Sequence, residues 1–222
     1  HILSFAKTIL DKFSVWKGDI TLEKFNQDDI KKLQNIYIHG RGAIFISSHY
    51  GNLELIRALG RAEKKIKYNA LIYTKNSKKM FGILREIDPE VEDQIIPVQS
   101  FGPEIGIKLH EKIINGEWIF CMADRLTAES SKSLHGQLLG ESINLPQGPI
   151  ILGYLLDAPV YSIHCYREGN VFRVQSRDIT PKIDKEKSRR SEFMQIIAEE
   201  YIQDLEKMIL KAVSYTHLTL PT

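Results

Sequence analysis

At 222 residues, the chain is long enough for one α/β domain with a substantial core. The formal net charge is +2, and no basic stripe is interleaved with aromatic residues, so a nucleic-acid partner is not expected. The two cysteines, Cys121 and Cys165, lie within apolar runs and match neither a disulfide framework nor a metal-binding spacing, which favours a reducing compartment. No apolar run in the sequence reaches the ~18 to 20 residues needed to cross a bilayer.

The N-terminal segment has the pattern of a basic amphipathic helix. Between residues 2 and 16 the apolar side chains recur at helical spacing, and charged residues that include two lysines occupy the opposite face. The apolar face consists of Ile2, Phe5, Ala6, Ile9, Leu10 and Phe13. Such a helix, predicted over residues 1–18, either lies in a membrane interface or packs against its own domain. A short strand is then predicted over Ile20–Phe25, and Asn26 is predicted to cap a helix that ends near Tyr37.

The next segment, Gly42–Gly60, predicts a buried strand that runs straight into a helix. The apolar run Ala43–Ile46 is typical of a strand, and two serines, His49 and a Gly-Asn turn follow it. In α/β proteins, ligands bind in the crevice at the carboxyl ends of the strands. His49 is therefore predicted to lie at the mouth of such a crevice.

Glu54 follows His49 by five residues, across the turn and into the first turn of the predicted helix. At this separation the carboxylate can fold back onto one imidazole nitrogen, fix the tautomer and leave the other nitrogen facing the crevice. The arrangement predicts a general base that removes a proton from a hydroxyl group. The spacing alone has little weight, because seven histidines and 28 acidic residues in 222 positions give about one such match by chance. The alternative is a hydrogen-bonded structural histidine.

The middle of the chain alternates between predicted strands and helices. Strands are expected over Tyr68–Tyr73, Gln94–Val98 and Trp118–Ala123, and helices over Ser77–Ile87 and Pro103–Asn115. The third of these strands is apolar throughout, as in a strand buried on both faces, and it ends at Asp124 and Arg125. Since the carboxyl ends of parallel strands meet at one edge of a sheet, this charged pair is expected to face the same crevice as His49.

The C-terminal part is predicted to continue the α/β pattern. We expect a loop or hairpin over Leu138–Leu145, a helix opening at Pro146, a hairpin over residues 160–177 and a last helix with an apolar face between Phe193 and Ile209. Residues 214–222 continue no pattern and are interpreted as a non-native or disordered tail. The elements predict a single α/β domain over residues 19–213, with a mainly parallel, mixed sheet flanked by helices.

The block HYGNLE, residues 49–54, preceded by GAIFISS and followed by LIRAL, resembles the His-x-x-x-x-Asp/Glu block of the lysophospholipid acyltransferase superfamily. It is most similar to the branch of bacterial lipid A biosynthesis (lauroyl/myristoyl) acyltransferases. The resemblance continues, in the same order along the chain, through Phe5–Gly18, Gly116–Arg125 and Leu138–Tyr161. It therefore covers nearly the whole sequence.

The resemblance implies a glycerolipid acyltransferase-like fold and the transfer of a fatty acyl group to a hydroxyl of a lipid or glycolipid acceptor. The acyl donor would be acyl-carrier protein or acyl-CoA, and neither a cofactor nor a metal is expected. His49 would be the catalytic base and Glu54 its partner. The expected substrate-binding residues are Asn52, Arg57, Asp124, Arg125, Gln147 and Gly148. The implied location is the cytoplasmic face of the bacterial inner membrane, either peripheral or anchored by a segment outside this sequence.

Several alternatives stay open from the residues alone. Arg57 could form a surface ion pair with Glu54 instead of contacting substrate, and Asp124 with Arg125 could form a structural salt bridge. Lysines at positions 75, 78 and 79 and the cluster 185–190 could meet phosphates of the donor or be solvated. The function itself could be a noncatalytic lipid-binding or membrane-surface module, or a thioesterase that passes the acyl group to water.

Overall fold

The computed structural model describes residues 2–38, 41–62, 66–73, 82, 86, 94–98, 103–126, 132–184 and 188–218. The helices are α1 (Ile2–Lys17), α2 (Gln27–Ile38), α3 (Leu55–Ala62), α4 (Pro103–Ile114), α5 (Gln147–Leu155) and α6 (Arg190–Leu218). The strands are β1 (Ala43–Ser47), β2 (Tyr68–Tyr73), β3 (Ile95–Val98), β4 (Trp118–Met122), β5 (Ser133–Leu138), β6 (Glu141–Pro146), β7 (Val160–Glu168) and β8 (Val171–Asp178). Helix α6 thus continues five residues beyond position 213, where the sequence pattern stops.

Six strands form one mostly parallel sheet in the order β3-β2-β4-β1-β7-β8. Every neighbouring pair is parallel except β7 and β8, which form an antiparallel hairpin. Strands β1 and β4 lie at the centre, and their unbroken apolar sequences suit a position covered on both faces. Strands β5 and β6 form a separate antiparallel ribbon. The predicted α/β class with a mainly parallel, mixed sheet is confirmed.

Helices cover both faces of this sheet, and the alternation of side chains along β1 divides the core in two. Ile44 and Ile46 face the core that includes buried residues of α4, α5 and α6. Phe45 faces the core built from α1, α2 and α3, where its ring stacks on that of Phe120. Strand β1 therefore has a helical layer on each side.

Helix α6 also fastens the segment that follows β1. The buried Tyr201 hydroxyl donates to the carbonyl oxygen of Ser47 at 2.9 Å, and the Tyr50 hydroxyl donates to the carbonyl oxygen of Met208 at 3.2 Å. Burial raises the pKa of Tyr201, so its hydroxyl stays a neutral donor at ordinary pH. The backbone on either side of position 49 is thus tied to α6.

The predictions for the segment after α1 had mixed outcomes. The strand predicted over Ile20–Phe25 is wrong, because Leu22–Lys24 forms a 3-10 turn whose amides bond locally, and Phe25 alone bridges to Phe172. The alternating apolar residues are buried by packing instead of by a strand ladder. Asn26 caps α2 as predicted, since its side-chain oxygen accepts two amide hydrogen bonds, each 3.1 Å long. The predicted helix Ser77–Ile87, apart from positions 82 and 86, lies outside the described residues, as do the three lysines near it.

Candidate functional site

His49 and Asp124 meet at the carboxyl edge of the two central strands. In the parallel pairing of β1 with β4, Ser47 lies opposite Met122, and each of the two site residues follows two positions later. The two Asp124 carboxylate oxygens lie 2.9 and 3.0 Å from His49 Nδ1, and the backbone N–H of His49 also donates to this carboxylate at 2.9 Å. Asp124 therefore holds both the ring and the backbone of His49, so the two residues meet at the same edge of the sheet.

The electrostatics of this pair suit a proton acceptor. Burial alone would raise the pKa of Asp124, but the hydrogen bonds from the His49 ring and backbone outweigh it and hold that pKa below its usual value. Because an ionised carboxylate can only accept, His49 Nδ1 carries the hydrogen, and in the neutral ring Nε2 is free to take a proton. The His49 side chain is 46% exposed and that of Asp124 is 20% exposed, so the imidazole is the more accessible member of the pair.

The predicted pairing of His49 with Glu54 is wrong. Glu54 Oε2 accepts a hydrogen bond from Trp16 Nε1 at 3.0 Å and lies 3.6 Å from Arg57 Nε. The physical reason is that Glu54 lies immediately before α3, and α3 packs on α1 over one face of the sheet. The pairing of β1 with β4, in contrast, brings Asp124 directly beside His49. A carboxylate partner for the histidine was expected, but it comes from the neighbouring strand.

The loop between β1 and α3 is packed tightly against β7. The backbone N–H of Asn52 donates to the Cys165 carbonyl oxygen at 2.6 Å, and the Ser47 hydroxyl donates to that of Ile163 at 2.8 Å. Gly51 has a φ of +84°, and a Cβ built on it would lie 2.0 Å from the Cys165 oxygen. Only glycine fits this approach without a shift of backbone, which explains the Gly-Asn turn after the histidine.

The predicted substrate-binding residues fall into two groups. Asn52 and Arg57 are buried, and the Asn52 side chain accepts the backbone N–H of Glu54 at 3.3 Å. Arg57 pairs with Glu54, as in the alternative left open for it, but the arginine is buried and not at the surface. Arg125 is exposed, next to Asp124, whose carboxylate contacts His49.

Gln147 and Gly148 open α5 on the opposite side of the sheet from α3. The Gln147 side chain donates to Met194 Sδ at 3.2 Å, and its backbone N–H donates to the Lys132 carbonyl oxygen at 3.3 Å. These contacts connect the start of α5 to α6 and to the residue before β5. Within the described part of the chain, neither residue forms a hydrogen bond with His49.

A second polar cluster, on β7, β8 and α6, was missed by sequence reasoning. Asp204 accepts hydrogen bonds from the Ser162 hydroxyl and from His164 Nε2, the latter at 3.1 Å, and pairs with Arg177 Nε at 3.1 Å. Although burial opposes it, these donors lower the pKa of Asp204. His164 is fully buried. The signal in the sequence was that two polar residues, Ser162 and His164, lie two positions apart and therefore on one face of the apolar strand β7.

Comparison of the sequence with models of known protein families gave no match, and comparison with curated proteins gave none. Across the described ranges, no helix combines the length and the apolarity that a membrane span needs.

Proposed function

We propose that this chain is an acyltransferase that moves a fatty acyl group from a thioester donor to a hydroxyl of a lipid or glycolipid acceptor. The observation that carries the proposal is the His49–Asp124 pair: a carboxylate on Nδ1 of a half-exposed imidazole, at the carboxyl edge of the parallel strands. The resemblance of the HYGNLE block and of three further blocks to lysophospholipid acyltransferases supports the same reaction class.

In the proposed reaction, His49 Nε2 removes the proton of the acceptor hydroxyl as its oxygen attacks the thioester carbonyl carbon. Asp124 stabilises the imidazolium that forms, because its carboxylate already accepts the Nδ1 hydrogen. The tetrahedral intermediate then collapses with cleavage of the C–S bond, and the departing thiolate takes the proton from His49. The products are the acyl ester and the free thiol of coenzyme A or of an acyl-carrier protein.

Arg125 is the side chain that we assign to the negative charge of the substrates or of the intermediate, since it is exposed and adjacent to Asp124. Arg57 is not assigned this role, because the residue is only 8% exposed and its guanidinium pairs with Glu54. Asn52 is likewise assigned to the loop, not to the substrate. This leaves Arg125, after β4 and beside the His49–Asp124 pair, as the proposed contact residue.

We also propose that the protein works at a membrane surface, at the cytoplasmic face of the bacterial inner membrane, because its acceptor is a lipid. The support from the structure is α1, on which Ile9, Leu10 and Phe13 are exposed although apolar, with Lys7 and Lys17 also exposed. An apolar edge with cationic neighbours suits an anionic bilayer interface.

The test is to incubate the purified protein with acyl-CoA or acyl-carrier protein and a lipid extract, and to measure thiol release and acylated lipid together. We expect both products with the wild type and neither with His49→Ala. Thiol and free fatty acid without acylated lipid would identify a thioesterase. Lipid binding with no thiol release from either donor would contradict the proposal and favour a noncatalytic lipid-binding module.

A further inference from the structure

Glu54 does not pair with His49; instead it connects α1 to the His49 loop. Its carboxylate accepts the indole N–H of Trp16, 38 residues away, and pairs with Arg57 one turn further along α3. Trp16 and Arg57 are both buried. A carboxylate held by two buried donors from different helices fixes the position of one helix relative to the other.

The other side of Trp16 leads to the exposed face of α1. The Phe13 ring packs edge-on against the Trp16 ring, with 5.2 Å between centroids, and Phe13 is 42% exposed. Beside it on the helix, Leu10 is 64% exposed. The opposite face of α1 is held by the domain, because Asp11 is buried and accepts hydrogen bonds from Arg167. Continuous contacts therefore run from a surface apolar residue to Glu54.

Glu54 is also joined to the loop that carries His49. Its backbone N–H donates to the Asn52 side chain, and Asn52 in turn donates to the β7 backbone. Four amides of this loop, those of His49, Tyr50, Asn52 and Glu54, make hydrogen bonds that depend on the loop keeping this shape. The order of the loop can therefore be measured through the exchange of these amides.

We propose that α1 docks on an anionic lipid surface and that the Trp16–Glu54 hydrogen bond transmits this docking to the His49 loop, which makes Glu54 a positioning residue. The occupant is a bilayer because the exposed apolar residues of α1 are flanked by the exposed cations Lys7 and Lys17. Docking restricts the motion of α1. Because Trp16 of α1 is hydrogen-bonded to Glu54, the motion of the His49 loop and of the start of α3 is restricted as well. The inference rests on the proposed function for its effect on turnover but not for its effect on loop order.

The experiment compares the full chain, free and with phosphatidylglycerol-containing vesicles, by hydrogen–deuterium exchange of residues 48–54 and by acyl-transfer kinetics. For the wild type, anionic vesicles are expected to slow exchange of these amides and to raise kcat/KM by roughly 10-fold, a typical size for coupling between two sites. Zwitterionic vesicles should have a much smaller effect, because the lysines then lack anionic partners.

Two variants break the hydrogen bond from opposite sides. Trp16→Phe removes the donor but keeps an aromatic ring, and Glu54→Ala removes the acceptor. In each variant we expect cosedimentation to show that vesicle binding persists. The exchange rates of the residue 48–54 amides with and without vesicles should then differ by less than about 2-fold. The double variant should lose no more than either single variant, since both act through one bond. Glu23→Ala, which removes an exposed acid of the same type, should leave the vesicle effect intact.

A vesicle effect that survives in both single variants, or a wild type that does not respond to anionic vesicles, would overturn the proposal. If one variant fails to fold, the other tests the same bond. Loop protection by vesicles without any acyl transfer from either donor would refute the proposed activity while leaving the Trp16–Glu54 coupling in place. The two ideas therefore fail through different measurements.

Discussion

Replacing Asp124 by asparagine tests the central pair of the site with a nearly isosteric change. In the native pair, one carboxylate oxygen accepts the His49 backbone N–H at 2.9 Å and the other lies 2.9 Å from Nδ1. The backbone group can only donate, so the single amide oxygen of asparagine must stay with it. The amide NH₂ then stands at the oxygen position 2.9 Å from Nδ1, where a donor opposes an Nδ1 hydrogen and favours the tautomer with the hydrogen on Nε2.

The expected loss is large because the variant lacks the carboxylate charge that stabilises the imidazolium and favours the tautomer whose Nε2 is already protonated. General-base catalysis contributes typically ~10² to 10⁴ in rate, which corresponds to about 3 to 5 kcal/mol of transition-state stabilisation. Glu54→Gln should lower turnover by less than about 10-fold, since the Glu54 carboxylate faces Trp16 and Arg57 instead of His49, and glutamine keeps an acceptor for Trp16. The two substitutions therefore differ by at least an order of magnitude.

The assay is initial-rate thiol release from acyl-CoA with saturating acceptor lipid, together with circular dichroism to show that each variant is folded. His49→Ala sets the floor for a site without a base. Near-wild-type kcat/KM in Asp124→Asn would refute the proposed role of the carboxylate. Glu54→Gln as inactive as His49→Ala would return Glu54 to the position that sequence spacing first suggested.

Three further predictions concern stability and can be checked by urea unfolding. Gly51→Ala should lower the free energy of unfolding by more than the ~1 to 3 kcal/mol expected for a non-glycine residue in the left-handed region, because the added Cβ also meets the Cys165 oxygen. Gly140 has the same φ but open space around it, so Gly140→Ala should show only the conformational loss. Equal losses in the two variants would contradict the tight contact at Gly51. The fold lowers the pKa of Asp204, so its ionised carboxylate stabilises the protein above pH ~4, and this stabilisation is lost as the pH falls through the folded pKa. In Asp204→Asn the free energy of unfolding should therefore decrease less steeply as the pH is lowered below about 4. The same decrease as in the wild type would contradict this. Asn26→Ala should cost about 1 kcal/mol through loss of the α2 cap, and no loss would contradict the cap.

Much of the fold could be predicted because its elements are encoded locally. The apolar runs that became β1 and β4 are unbroken and end at polar residues, so both their existence and their burial follow from composition. The strand Tyr68–Tyr73 has the predicted bounds. The segment Ile20–Phe25 shows the limit of the same reasoning, since alternating apolar residues are also produced by a compact turn packed under helices.

The candidate site could be predicted only in part. His49 was located correctly because it directly follows a recognisable strand. Its partner was assigned by closeness in sequence to Glu54, whereas the structure uses strand adjacency, for which local spacing contains no information. The useful signal was that His49 and Asp124 stand at equal distances beyond two apolar strands, and it becomes decisive only once those strands are known to be neighbours.

The 75-residue separation of His49 and Asp124 has a consequence for how the protein matures. No fragment that ends before β4 contains both side chains, and closing so long a loop is entropically costly before native contacts offset it. The pair therefore assembles only after the two central strands have paired. A chain that ends before Asp124 lacks the paired imidazole, and the proposed reactivity toward thioesters would require β1 and β4 to have paired.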